Sequence, residues 1–317
     1  MENVTTKLPA RTDFPPELTV SSPWPTVAAI AMDWAIIVGS IWLAERFSNP
    51  ATFLFAVFMV GSRQHAFFLI MHEGAHSLIS KNRFWNDKIS NFFAAWPVGF
   101  STEKYRLRHW IHHRYVNTDK DPDWTRKRDD VTWQFPKTKI VYWKDTLAHL
   151  LGKGVLEMIF ALRGLGLAKS DIPLAVPYFG FIVAAITLLG GWRLFGLYWV
   201  VPYFTVLPLL HRIRNSSEHL GLPKTHVLNG TRNVVGSPVE TFLLCPHNGA
   251  MHLVHHVYPF IPWYRLKAAR AFLLTNEEYR TYAHENDSYF LPLGRSMYRD
   301  MLHPPQTELA ENTKRAA

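Results

Sequence analysis

The chain has 317 residues, 48% of them apolar and 14% aromatic, which is enough for one large domain or two small ones. Its single cysteine, Cys245, excludes an internal disulfide and a Cys-ligated iron–sulfur cluster within one chain, so any electrons it uses come from elsewhere. The formal charge is +9, and the basic residues lie between long apolar blocks, a pattern that fits a cytosolic face on anionic lipid better than a nucleic-acid surface.

In chain order, Met1 to Ser22 is polar and rich in proline, so residues 1–24 read as a polar N-terminal tail and not as a cleavable signal peptide. Two apolar blocks follow, about 26–44 and 51–71, joined by the short polar turn Glu45 to Pro50. Only Asp33 interrupts the first block. Each is close to the ~20 residues that cross a bilayer as a helix. Ile89 to Phe100 is apolar but too short to cross, and reads as a re-entrant or interfacial segment. Gly154 to Leu167 reads as an amphipathic interfacial helix. A second pair of blocks, about 172–190 and 194–210, is separated by the Gly190-Gly191-Trp192-Arg193 turn. The short connectors hold one basic residue each, Arg46 and Arg193, so the positive-inside rule puts the long segments in the cytosol. The predicted fold is therefore an all-α membrane protein with four transmembrane helices in two hairpins and a cytosolic helical cap. It forms one domain over 25–302, followed by a disordered tail over 303–317.

Histidine carries the functional signal. Of 16 histidines, nine fall in four tight clusters. His72 and His76 stand at i and i+4 at the end of the second block, so on a helix both imidazoles face one way. His109, His112 and His113 form an HxxHH motif, and His252, His255 and His256 repeat it. Asn215 and His219 share a face just beyond the fourth block. Imidazole suits iron, zinc, copper and nickel. Nine ligands exceed the needs of one tetrahedral zinc and suffice for two irons with room for O2. An isolated HxxHH is usually a solvated helix face, but three boxes on one membrane side favour a metal centre.

These boxes resemble those of the membrane fatty acid desaturase superfamily, which includes acyl desaturases, lipid hydroxylases and carotenoid ketolases. The resemblance runs from Met71 to Leu266. His247-Asn248-Gly-Ala-Met-His252-Leu-Val-His255-His256, with its trailing Pro-Trp263-Tyr264, is similar to the family's third box. Asn215-Ser-Ser-Glu-His219 is similar to the extra ligand segment of stearoyl-CoA desaturases. The resemblance implies two iron ions with O2 as co-substrate. It implies His219 as a direct ligand beside the three boxes, and Asn215 as a ligand through water. It implies a lipid or fatty acyl substrate. No segment with the His-Pro-Gly-Gly motif of cytochrome b5 is seen, so the donor is a separate protein such as ferredoxin or cytochrome b5.

Asp119, Asp121, Asp123 and Glu218 are candidates to orient the imidazoles from behind. A turn around Pro122 and an ordinary helix-end charge explain them equally well. His65 reads as packing or tunnel lining. His149, His226, His284 and His303 read as ordinary surface residues, and Cys245 as inert. The expected reaction is desaturation of an acyl chain. The same metals could instead hydroxylate or ketolate a lipid or carotenoid. A rival of another class is a zinc metalloprotease, because His72-Glu73-Gly-Ala-His76 also fits HExxH.

Overall fold

The computed structural model describes residues 7–303, so the tail from 304 onward lies outside the described residues. The chain divides into two compact units. One comprises Ser22–Trp110 and Lys144–Ile213, and the other Met1–Ser21, Ile111–Trp143 and Arg214–Ala317.

The first unit is built from long apolar helices. Pro23–Phe47 and Pro50–Ala75 are each long and apolar enough to cross a membrane, and so is the helical stretch Trp192–His219 that leaves the unit at its C-terminal end. Ile172–Leu188 is apolar but shorter. At 1.5 Å per residue its 17 residues span about 26 Å, against a hydrocarbon core of about 30 Å. It stops where the chain turns through Gly190, whose φ is 63°. The second helix starts at Pro50, and Asn49 caps it by accepting from the backbone N–H groups of Ala51 and Thr52 at 3.0 and 3.1 Å. Proline at the first position costs no hydrogen bond, because that N–H has no intrahelical partner. The Trp192–His219 stretch is irregular. It includes a π-turn at Gly196–Val200 and breaks at Thr205 before resuming as Val206–His219.

The first two helices are tied by charge inside an apolar setting. Arg63 Nη1 donates to Asp33 Oδ1 at 3.0 Å, and both side chains are fully buried. Asp33, the lone break in the first apolar block, is thus the counter-charge of a residue in the second. Gln64 donates to the Trp199 carbonyl at 2.9 Å, linking the second helix to the last.

The short apolar segment after the first histidine box is an irregular helix. It runs through Arg83–Ser90, a π-turn at Asn91–Ala95 and a 3₁₀ turn at Trp96–Val98, and ends at Gly99 with φ 83°. Asn91 serves both neighbours. It donates to Asp171 at 3.1 Å and accepts from the Thr102 N–H at 3.1 Å. Helix Gly154–Leu165 buries Gly154 and Met158 and exposes Leu156, Ile159 and Phe160.

The second unit is polar and contains little sheet. Strand Arg232–Val234 pairs in parallel with His284–Asn286. Its core gathers Leu253, Val254, Tyr258, Ile261, Leu266, Ala269, Leu273 and Tyr279, joined by Phe14 and Leu18. Phe14 meets Tyr258 edge-on at 4.7 Å. The described part of the segment read as a polar tail therefore contributes two buried apolar side chains to this core.

Removing one partner of the buried Asp33–Arg63 pair leaves an unpaired charge. Asp33→Ala is expected to destabilise the protein by about 3–5 kcal/mol. Joint replacement of Asp33 and Arg63 by Leu recovers most of that loss. Thermal unfolding in detergent of the single and double variants checks it.

Candidate metal centre

The first unit brings three imidazoles together. His72 lies in the last turn of Pro50–Ala75, His76 is its C-cap, and His109 comes from helix Thr102–Tyr115. Ring centroids are 5.0 Å apart for His72 and His76, 4.5 Å for His72 and His109, and 4.9 Å for His76 and His109. The packing depends on small and charged residues beside the motif. A Cβ on Gly74 would collide with Ser90, so glycine lets the next helix approach. Arg106 donates to the carbonyls of Ala75 at 2.9 Å and Gly74 at 2.8 Å, satisfying two groups at the helix end, and its guanidinium is paired with Asp87. Asn86 adds a third contact, donating to the Gly74 carbonyl at 2.8 Å. Burial, with the Arg106 charge behind it, pushes the His76 imidazole down to about 3, so it is a neutral lone-pair donor at neutral pH.

The second unit assembles a quartet from three distant segments: His112, His219, His252 and His256, whose ligand nitrogens all lie within 4.8 Å of one another. The backing contact to His112 sets its tautomer. Asp121 Oδ1 lies 3.0 Å from His112 Nδ1, and a carboxylate there can only accept. Nδ1 therefore carries the proton and Nε2 presents its lone pair. Asp121 is itself held by the N–H groups of Asn117 and Asp123 at 3.0 and 2.8 Å. His219 Nδ1 faces Thr231 Oγ1 at 3.1 Å and the Gly230 carbonyl at 3.4 Å. Glu218 lies 3.5 Å behind His252 Nδ1. Asn233 accepts from the N–H groups of Leu253 and Val254 at 3.0 and 3.3 Å and so fixes the start of the third-box helix.

The donor set suits a metal ion. His219 Nε2 and His252 Nε2 stand 3.1 Å apart, and His113 Nε2 and His255 Nε2 stand 3.0 Å apart. With metal–nitrogen bonds of roughly 2.1 Å, two ligands at a right angle sit about 3.0 Å apart, and tetrahedral ones about 3.4 Å. Both spacings fit the right-angled arrangement. His256 Nε2 is buried with no hydrogen-bond partner among the described residues. An atom so placed costs free energy unless something accepts its lone pair. Burial, reinforced by the neighbouring imidazoles, holds the His256 pKa well below its ordinary value, which keeps that lone pair available.

The remaining sequence candidates divide. Asp123 lies 4.0 Å from His112 Nδ1, farther than Asp121. Asp119 is exposed and pairs with Arg128 at 2.7 Å. Asn215 accepts from Lys127 Nζ at 3.1 Å. Lys127 was not singled out by sequence reasoning, because nothing in the order Arg126-Lys127-Arg128 tells which of three cations turns inward. Burial pushes its ammonium down to about 8 against the pull of Asp123, Glu218 and Asp121. His65 packs edge-on against His211 at 5.1 Å, and His247 against Trp263 at 5.0 Å.

The surface reading of three histidines is corrected. His149 is buried between the Asp145 carbonyl and Glu157, and His284 lies 2.6 Å from the buried Asp300. His226 stacks on Tyr282 and pairs with Glu278 at 3.3 Å. His226 and His284 meet partners distant in sequence, which no local spacing reveals, whereas the partners of His149 lie within eight residues of it. His303 is exposed. Cys245 is buried, and that burial pushes its thiol up to about 11, so it is largely un-ionised at neutral pH.

Outer groups that orient a metal-ligating histidine typically change metal affinity 10–100-fold. Asp121→Ala is expected to weaken metal binding by about that factor. Asp119→Ala should leave it within about twofold, because an exposed carboxylate paired to one arginine contributes little. Metal titration of the two purified variants checks the contrast.

The family model for fatty acid desaturases matches residues 48–288. Among curated relatives, dihydrorhizobitoxine desaturase of Bradyrhizobium elkanii is 29% identical over 79% of this chain and 75% of its own length. Beta-carotene ketolase of Paracoccus sp. (strain PC1) is 25% identical over 77% of this chain and 90% of its own. The sn-1 oleoyl-lipid 12-desaturase of Anabaena variabilis is 23% identical over 78% and 74%.

Proposed function

The chain belongs to the fatty acid desaturase family, and on that premise we propose that it is an O2-dependent di-iron oxidoreductase that desaturates the acyl chain of a fatty acid or lipid. The observation that carries this reading is the quartet of convergent imidazoles, with His112 and His219 backed at Nδ1 by a carboxylate and a carbonyl. His112, His219, His252 and His256 would hold one iron. The proposed iron ligands also include His72, His76 and His109 of the first unit and His113 and His255 of the second. His113 follows His109 by one turn on a single helix, and its Nε2 faces that of His255. Asn215 would act through water.

When bound, two ferrous ions supply the reduction of O2 that takes one hydrogen from each of two adjacent methylenes. With two electrons and two protons from a separate donor, the products are the alkene and two waters. The chain's own task is positioning. Asp121 holds the His112 proton away from the metal side, and burial keeps water from competing for the neutral lone pairs. The uncharged imidazoles that would hold the irons would add no negative charge of their own to the centre. In this proposal Ile172–Leu188, extended to Gly190, forms a fourth span. An even number of spans puts the boxes and both termini on the cytosolic side, where ferredoxin or cytochrome b5 can reach them.

A second reading keeps the metals and gives a hydroxylated or ketolated product. It is favoured by the ketolase match over 90% of that protein's length. The metalloprotease reading uses His72 and His76 and leaves the quartet without a role.

Expression in a bacterial host followed by mass spectrometry of the whole lipid extract tests the proposal. The intact protein is expected to add products lighter by two hydrogens, with two irons per chain. His112→Ala should lose product by more than about tenfold, since removing a ligand exceeds the effect of removing its orienting group. Products heavier by one oxygen would favour the second reading. One zinc per chain and product formation without O2 would sink both.

A further inference from the structure

Beside the quartet, the second unit holds a cavity of about 550 Å³ that none of the roles above uses. Two short segments make much of its wall. Trp124, Lys127 and Arg128 follow Asp121, and Leu222 and Lys224 follow His219. The cavity thus begins within a few residues of a quartet ligand and of the carboxylate that orients another. Among the described residues its lining includes three cations and no carboxylate, with Arg128 paired to Asp119 and Asp129 outside the lining. The cations are graded in depth, with Lys127 buried and Arg128 and Lys224 exposed. Aromatic rings lie under two of them. Lys224 Nζ sits 4.4 Å from the Trp124 ring centroid, and Lys127 Nζ sits 5.0 Å from that of Trp133. Lys127 gives one of its three N–H groups to Asn215.

Concave sites with apolar walls and a few convergent polar groups bind small molecules, and one sign of charge in a low-dielectric wall concentrates ions of the other sign. A flat basic patch would suit an acidic protein, whereas a half-open basic cavity with two indoles in its wall suits an anion carried on an apolar body. We infer that this cavity binds the anionic headgroup, carboxylate or phosphate, of the amphiphilic substrate. That role rests on the oxidoreductase reading given above. It favours an acid or phosphate-bearing lipid over an uncharged substrate such as a carotenoid hydrocarbon.

The test uses the full chain purified in a neutral detergent, with iron counted in the same sample. Octanoate, octyl phosphate and uncharged octanol are titrated calorimetrically into the parent and into the double variant Lys224→Gln, Arg128→Gln. Both replaced residues are exposed, and neither belongs to the proposed metal set. The parent is expected to bind the tighter of the two anions at least about tenfold better than octanol, a ratio typical of one charge-assisted contact. The double variant should lose that advantage by about tenfold. The better anion identifies the headgroup. The same anion should inhibit product formation in membranes from the expressing host, and about tenfold less well in the double variant. Octanol binding as tight as both anions overturns the inference, as does undiminished anion binding by the variant or anion binding without inhibition. The two readings fail differently. Iron and product with charge-blind binding defeats the headgroup cavity alone, while charge-selective binding in a sample without iron or product defeats the oxidoreductase reading.

Discussion

The structure depends on one constraint: polar nitrogen atoms are gathered in a buried place, and each needs a partner on both sides of its ring. An imidazole has two nitrogens, and burying either one unmatched costs free energy. The second unit meets the outer half of this demand with Asp121, the Gly230 carbonyl and Thr231, and sets Glu218 behind His252. The inner half is left to the imidazoles themselves, with His256 Nε2 facing no protein partner among the described residues. A metal ion is the partner that matches several such lone pairs at once, and neutral rings are the form that can bind it.

The same need explains residues that never approach the centre. The helix bearing His72 ends under the box, so its last carbonyls are left over, and Arg106 and Asn86 collect them. Gly74 stands inside the motif because the neighbouring helix comes too close for a side chain there. The third box starts where Asn233, from the short parallel strand pair, receives two backbone N–H groups. That helix then packs Leu253 and Val254 into the apolar cluster anchored by Phe14. A shift of this core would move His252, His255 and His256 together, so packing far from the centre bears on ligand geometry.

Charge is treated differently in the two units. Among the long helices, Asp33 and Arg63 neutralise each other out of contact with solvent. In the second unit, the cavity beside the quartet has three cations and, among the described residues, no carboxylate in its lining. The first arrangement fixes helix against helix, and in the second Lys127 and Lys224 turn positive charge toward a ligand of opposite sign while Arg128 is paired with Asp119 and Asp129.

Much of this was legible in the sequence because it depends on local periodicity. The i, i+4 spacing of His72 with His76 and of His109 with His113, and the apolar runs near bilayer length, follow from helix geometry alone, without any partner. Relations between segments far apart in the chain were not legible. Sequence could not tell that Asp121 would back His112 while Asp119 turned out to Arg128, because both carboxylates flank the same turn and only the fold decides which one faces inward. Nor could it match Asp33 with Arg63, bury His149 and His284, or select Lys127 from three adjacent cations. Periodicity fixes which residues share a face, whereas burial and pairing are set by whatever packs against that face, and that is a property of the tertiary structure.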